Sequence, residues 1–136
     1  MIDKSKNIDI EKVANHWKVT SLEDYDTMID LYNSKTYHWS LFMGHISTEK
    51  LLKAYYVKIK KKHAPPIHNL YRLAEISEIE ITDEYADWLD TITLFNINAR
   101  YDDFKREFFK QCTQEYTDLW IGRISSPHMI KVNYRV

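Results

Sequence analysis

Three polar residues stand where an amphipathic helix should be apolar. His45, Glu49 and Lys53 are spaced by four, so on a helix they share one side with Phe42, Ile46, Leu52 and Tyr56, away from solvent. A carboxylate there is costly unless paired, so Glu49 should hold Lys53, a histidine, or an arginine from another helix. Two readings stay open: an internal polar clamp, or one wall of a polar cleft. Further along, Asn96 lies beside an apolar stripe, and Arg100 follows one turn later at its edge. Arginine is well shaped to hold a phosphate by two parallel hydrogen bonds, yet a cation at a helix C-terminus is also favourable to the dipole. His68 and Arg72, one turn apart after Pro65-Pro66, form a third polar pair. A rigid proline entry suits a histidine directed into a site, and it equally suits a helix start.

Other chemistry is thinly represented. The run Lys58-Ile-Lys-Lys-Lys-His63 has the composition of a nucleic-acid patch, but it falls at a helix C-terminus, where solvated positive charge is expected. The sequence has no glycine-rich phosphate loop, no His-Glu-x-x-His and no Gly-x-Ser-x-Gly. The histidines at 16, 38, 45, 63, 68 and 128 include no i,i+4 pair, so neither a helical metal site nor a cofactor is expected. Cys112 lies on an apolar stripe and reads as core rather than nucleophile.

The elements that must position these residues are helices. Gly 2 and Pro 3 in 136 residues are too few for the many turns of a β fold, while 44% hydrophobic and 14% aromatic residues supply one ample core. A single cysteine excludes an internal disulfide and favours a reducing compartment. With no apolar stretch of signal or membrane-spanning length, the expected location is cytoplasmic and no membrane is involved. A formal net charge of -1 argues against non-specific wrapping of nucleic acid and leaves room for a local basic patch.

Apolar periodicity predicts five helices in one domain, with a core over residues 9–122 and a C-terminal arm over 123–136. The first runs over 9–35 through Trp17, Tyr25 and Met28; its stripe has a gap at Ser21, where Ser21-Leu-Glu-Asp24 also reads as a cap, and one long helix is favoured over two. The second covers 37–63 and stops before Ala64-Pro65-Pro66. A short third opens near Ile67, and the brief alternation of 76–81 is a loop because it has no partner strand. Thr82 or Asp83 caps a fourth that ends near Arg100 or Tyr101. A fifth runs from Asp102-Asp103 through Phe104, Phe108, Cys112, Tyr116 and Leu119 to about Gly122. The alternating tail 128–136 suits an arm lying on this or a second subunit. The expected architecture is all-α, an up-and-down bundle of four long antiparallel helices with a short cross-piece.

Three segments, taken in order, resemble the HEPN family. They are the aromatic-rich residues 37–56 with Glu49-Lys-Leu-Leu-Lys-Ala54, then Pro65-Pro66-Ile-His68-Asn-Leu70, then Asn98-Ala-Arg-Tyr101. The resemblance implies a small helical bundle, usually a homodimer, often encoded beside a nucleotidyltransferase as a toxin–antitoxin pair. Some members bind nucleotides, and many are metal-independent RNases that place an Arg and a His, four to six residues apart, at the dimer cleft. Here Arg100 takes the arginine's place, but Tyr101-Asp-Asp-Phe-Lys105-Arg106-Glu107 follows, with no histidine. Lys105 cannot simply replace it, because an ordinary lysine pKa of about 10.4 leaves the amine protonated near neutrality. The preferred expectation is therefore a non-catalytic module in which Arg100, Tyr101, Lys105, His68 and Asn96 bind a nucleotide or RNA phosphate. The alternatives are an RNase that borrows Lys105, His45 or His68 for proton transfer, and a purely structural interaction protein.

Overall fold

A computed structural model describes residues 8–126. Over that span the chain forms six helices and no strand: α1 (Ile10–Asn33), α2 (Tyr37–Lys60), α3 (Leu70–Ile76), α4 (Asp83–Arg100), α5 (Asp102–Gln111) and α6 (Gln114–Ile124). The all-α expectation holds, and residues 77–82 form a loop as expected. The tail 128–136 lies outside the described residues.

The first helix is unbroken, capped by Asp9, whose side chain accepts from the Lys12 N–H. Ser21 is no interruption, because it is buried against α2. Its hydroxyl donates to the Ser47 carbonyl at 2.7 Å, and the Ser47 hydroxyl donates back to the Ser21 carbonyl at 2.9 Å. Small side chains with internally satisfied hydroxyls let the two helices approach closely.

The second helix is the spine, touching α1, α3, α4, α5 and α6. Gly44 is its tightest point: a Cβ there would stand 2.5 Å from Ile124 Cδ1 and 3.1 Å from Met28 Sδ, so the missing side chain is what seats α6 and α1. The core continues outward through Phe95 on α4, whose ring meets Phe108 of α5 and Trp120 of α6, each at 5.5 Å between centroids. Cys112 is part of this core, and burial pushes its thiol up to about 12, so it is no nucleophile at neutral pH.

Two expectations about the helices need correction. The fifth is not continuous: the chain turns at Cys112 and restarts at Thr113, whose side chain accepts from the Tyr116 N–H and caps α6. Phe104, in the first turn of α5, is exposed; beyond the break the helical phase shifts, so Leu119 is exposed too and the buried residues of α6 are Thr117, Trp120 and Ile124. α4 and these two shorter helices thus stand where two long helices were expected, and Ile124 carries α6 past residue 122. The third helix starts later than expected, at Leu70, because Asn69 caps it by accepting from the Arg72 N–H at 2.8 Å. His68 therefore precedes the helix, and Arg72 pairs with Glu75 in solvent.

Filling the Gly44 notch should be costly. Gly44→Val is expected to lower stability by about 1–3 kcal/mol through overpacking, as read from denaturant melts. An unchanged midpoint would mean that α6 does not seat against α2 at this point.

Candidate functional site

One row of α2 carries the polar centre. His38, Phe42, His45 and Glu49 lie at i, i+4, i+7 and i+11, on the side that faces the 61–69 loop and the α4–α5 junction. His45, Glu49 and Lys53 are all buried, at 0%, 7% and 5% exposure. Glu49 divides its carboxylate between two partners: Oε2 takes Lys53 Nζ at 3.2 Å, and Oε1 takes His68 Nδ1 at 2.9 Å. His45 Nε2 is 3.8 Å from the same Oε1 and donates to the His68 carbonyl at 3.0 Å. Both the side chain and the backbone of His68 are thus tied to α2, and Leu70 N–H donates to Thr93 Oγ1 on α4 at 3.0 Å. The prolines restrict the backbone leading into His68, and these bonds tie that loop to α2 and α4.

These bonds set the tautomers. With Nδ1–H given to a carboxylate, neutral His68 keeps its Nε2 lone pair free, and its side chain is 66% exposed. His45 has the opposite arrangement: Nε2–H is used, and the buried Nδ1 has no partner among the described residues. Burial holds the His45 imidazole below its usual value, and the nearby charges of His68 and Arg100 add to that depression, against the His68 carbonyl and Glu49. His68 therefore lies against the buried ring, and the charge of Arg100 is felt there.

Arg100 ends α4 exposed, with Nε donating to the Asn96 carbonyl at 3.0 Å. Its guanidinium stands 5.9 Å from the Phe42 centroid and 5.6 Å from that of Tyr101. Among the described residues no carboxylate pairs with it. It is held in place while its outer nitrogens keep their donors available. Asn96 contributes this carbonyl, and Tyr101, at the junction of α4 and α5, contributes its exposed ring. Lys105 sits further along α5, with Nζ 5.5 Å from the Trp39 centroid. It lines a cleft of about 350 Å³ with His38, Asp102, Arg106 and Phe109.

The sequence-predicted residues thus fall into two adjoining groups, His45, Glu49, Lys53 and His68 in one, Asn96, Arg100 and Tyr101 in the other, with Lys105 reaching the second through Trp39 and Phe42. Sequence reasoning missed His38, Arg106 and Phe109. The i, i+4, i+7, i+11 row from His38 was the available signal for the first of them. The Lys58–His63 run is partly neutralised, as Lys58 pairs with Glu11 and Lys60 with Glu78.

Glu49→Ala should cost about 1–4 kcal/mol, because Lys53 would remain buried without its carboxylate; an unchanged denaturation midpoint would contradict the clamp. His45 gives a pH dependence. Its folded value lies below the unfolded one of about 6.5, so its contribution is complete above that pH and declines as pH falls. Melts between pH 7.5 and 5.5 should show stability falling, and His45→Gln should flatten the slope. An unaltered slope in that variant would contradict the assignment.

Among curated proteins and among solved structures none matches the chain. The HEPN domain model matches residues 14–123, from the second turn of α1 to the last turn of α6. With the match spanning the whole bundle and the site it carries, the chain belongs to the HEPN domain family.

Proposed function

We propose that the chain is a non-catalytic nucleotide- or RNA-phosphate-binding module, acting as a homodimer in the cytoplasm within a toxin–antitoxin-type system that includes a nucleotidyltransferase partner. The observation that carries the reading is Arg100, fixed by the Asn96 carbonyl and two aromatic rings and free of any carboxylate among the described residues. A guanidinium so prepared gives a phosphate two donors at little ordering cost. Lys105 adds charge, Tyr101 a ring, and His68 a free ring nitrogen one group away. The family's nuclease pair is incomplete because no histidine follows Arg100 at the required spacing.

The dimer reading rests on Leu94, Ile97 and Tyr101, exposed at i, i+3 and i+7, with exposed Phe104 just beyond. An apolar stripe of this kind on a surface helix favours burial against a partner. It adjoins Arg100, so a symmetric pair would bring two guanidinium groups toward one cleft. The four tryptophans are buried or partly buried and add little to this exposed stripe.

A second reading, a metal-independent RNase with a non-standard proton carrier, draws on one observation: Glu49 fixes His68 so that Nε2 is left free, the arrangement a general base needs. Light scattering should return twice the 16.4 kDa chain mass, and a monomer mass at micromolar concentration would overturn the dimer. Labelled nucleotide or short RNA should bind, more weakly as salt rises, and Arg100→Ala should weaken binding about tenfold or more. The same RNA should remain intact on a gel. Cleavage lost in both Arg100→Ala and His68→Ala would replace the first reading by the second, and absence of binding would leave a structural interaction protein.

A further inference from the structure

The row on α2 continues past Arg100 in the direction of His38, and that half is not closed over by the 61–69 loop. From His38 to Glu49 it extends about 16 Å along the helix axis. Its rings form a ladder: Phe109 of α5 meets His38 edge-on at 5.1 Å and 74°, His38 tilts against Trp39 at 5.2 Å, and Trp39 meets Phe42 edge-on at 5.5 Å. Cations accompany the ladder, with Lys105 Nζ near Trp39 and Arg100 over Phe42.

Two features bear on what this half could hold. Phe109 is 62% exposed, although Phe108 beside it is buried and already anchors α5 to the core. Arg100, Lys105 and Arg106 flank this half, and none of the three has an acidic partner among the described residues. An exposed aromatic plane beside unpaired cations matches a base followed by a phosphate. Asp102, the one acid in the cleft lining, belongs to the first turn of α5, where it favours the dipole, and it can accept from an exocyclic amine of a base. Burial first, and then the charge of Lys105, holds the His38 imidazole below its usual value, so near neutrality it is an uncharged stacking surface. Phe104, on the apolar stripe, and Phe109 differ by about 140° around α5, so a dimer formed through the stripe leaves the cleft open.

We propose that the cleft between α2 and α5 is a base-stacking subsite continuing the Arg100 phosphate site, so that the ligand is a single-stranded oligonucleotide of about three nucleotides and not a lone nucleotide. This rests on the reading of Arg100 as the phosphate holder. A duplex is disfavoured because its bases are already stacked on one another and cannot reach Phe109.

The test is competition anisotropy on the full chain with unlabelled mono-, di-, tri- and hexanucleotides, ATP and a short duplex. Affinity should rise with length to about three nucleotides and then level, with ATP and the duplex weaker than the trinucleotide by about tenfold or more. Phe109→Ala should reduce the trinucleotide-to-mononucleotide affinity ratio by about 5- to 100-fold, and Phe109→Trp should restore it. Lys105→Ala should lower the slope of log affinity against log salt by about 0.7. Equal binding of ATP and trinucleotide, or an unchanged ratio in Phe109→Ala, would overturn the subsite while leaving the Arg100 reading intact. Binding of every length unaffected by Arg100→Ala would remove both.

Discussion

The buried carboxylate of Glu49 is the constraint on which the arrangement of the site depends. A carboxylate at 7% exposure is tolerated only with partners, and it has two: Lys53 one turn along the same helix and His68 from a loop nineteen residues away. Because the second partner comes from outside the helix, satisfying Glu49 also fixes the loop that joins α2 to α3. The His45 bond to the His68 carbonyl repeats the attachment through the backbone. Replacing a buried ion pair by apolar residues is often neutral or stabilising, so stability alone does not account for the polar row; what it does in this structure is tie His68 to α2.

Arg100 belongs to the same arrangement by a different route. It sits where α4 stops, because Tyr101 adopts an extended conformation with φ -85° and ψ 130° before α5 begins. That break keeps Arg100 at the surface and turns Lys105, Arg106 and Phe109 toward the His38 end of α2. Positive charge is therefore local on a chain whose formal net charge is -1, so any anion drawn to this face would be drawn by these few cations and not by an overall field.

The sequence made much of this legible because α2 is long and strongly periodic. Polar residues at 45, 49 and 53 stand out only against a firm helical phase, and the two prolines mark where that phase ends. Legibility was lost where local capping competed with periodicity. Asn69 moved the start of α3 beyond His68, and Thr113 divided a stripe that looked continuous from Phe104 to Leu119. Ser21 shows the converse case, in which a cap-like serine is held inside a continuous helix by its exchange with Ser47. The cleft at His38 and Phe109 was not visible because it needs the turn at Tyr101, a tertiary feature. His38 alone looks like any helix-start histidine, and Phe109 like any core aromatic.

Glu49 holds His68 by Nδ1 and leaves Nε2 free. Imidazole nitrogen NMR at a pH where the histidines are neutral reports this directly. The expected result is the Nδ1–H tautomer for His68 and the Nε2–H tautomer for His45, with the His68 assignment lost in Glu49→Gln. A His68 ring in the ordinary Nε2–H form, or one averaging between tautomers and unchanged in Glu49→Gln, would contradict it.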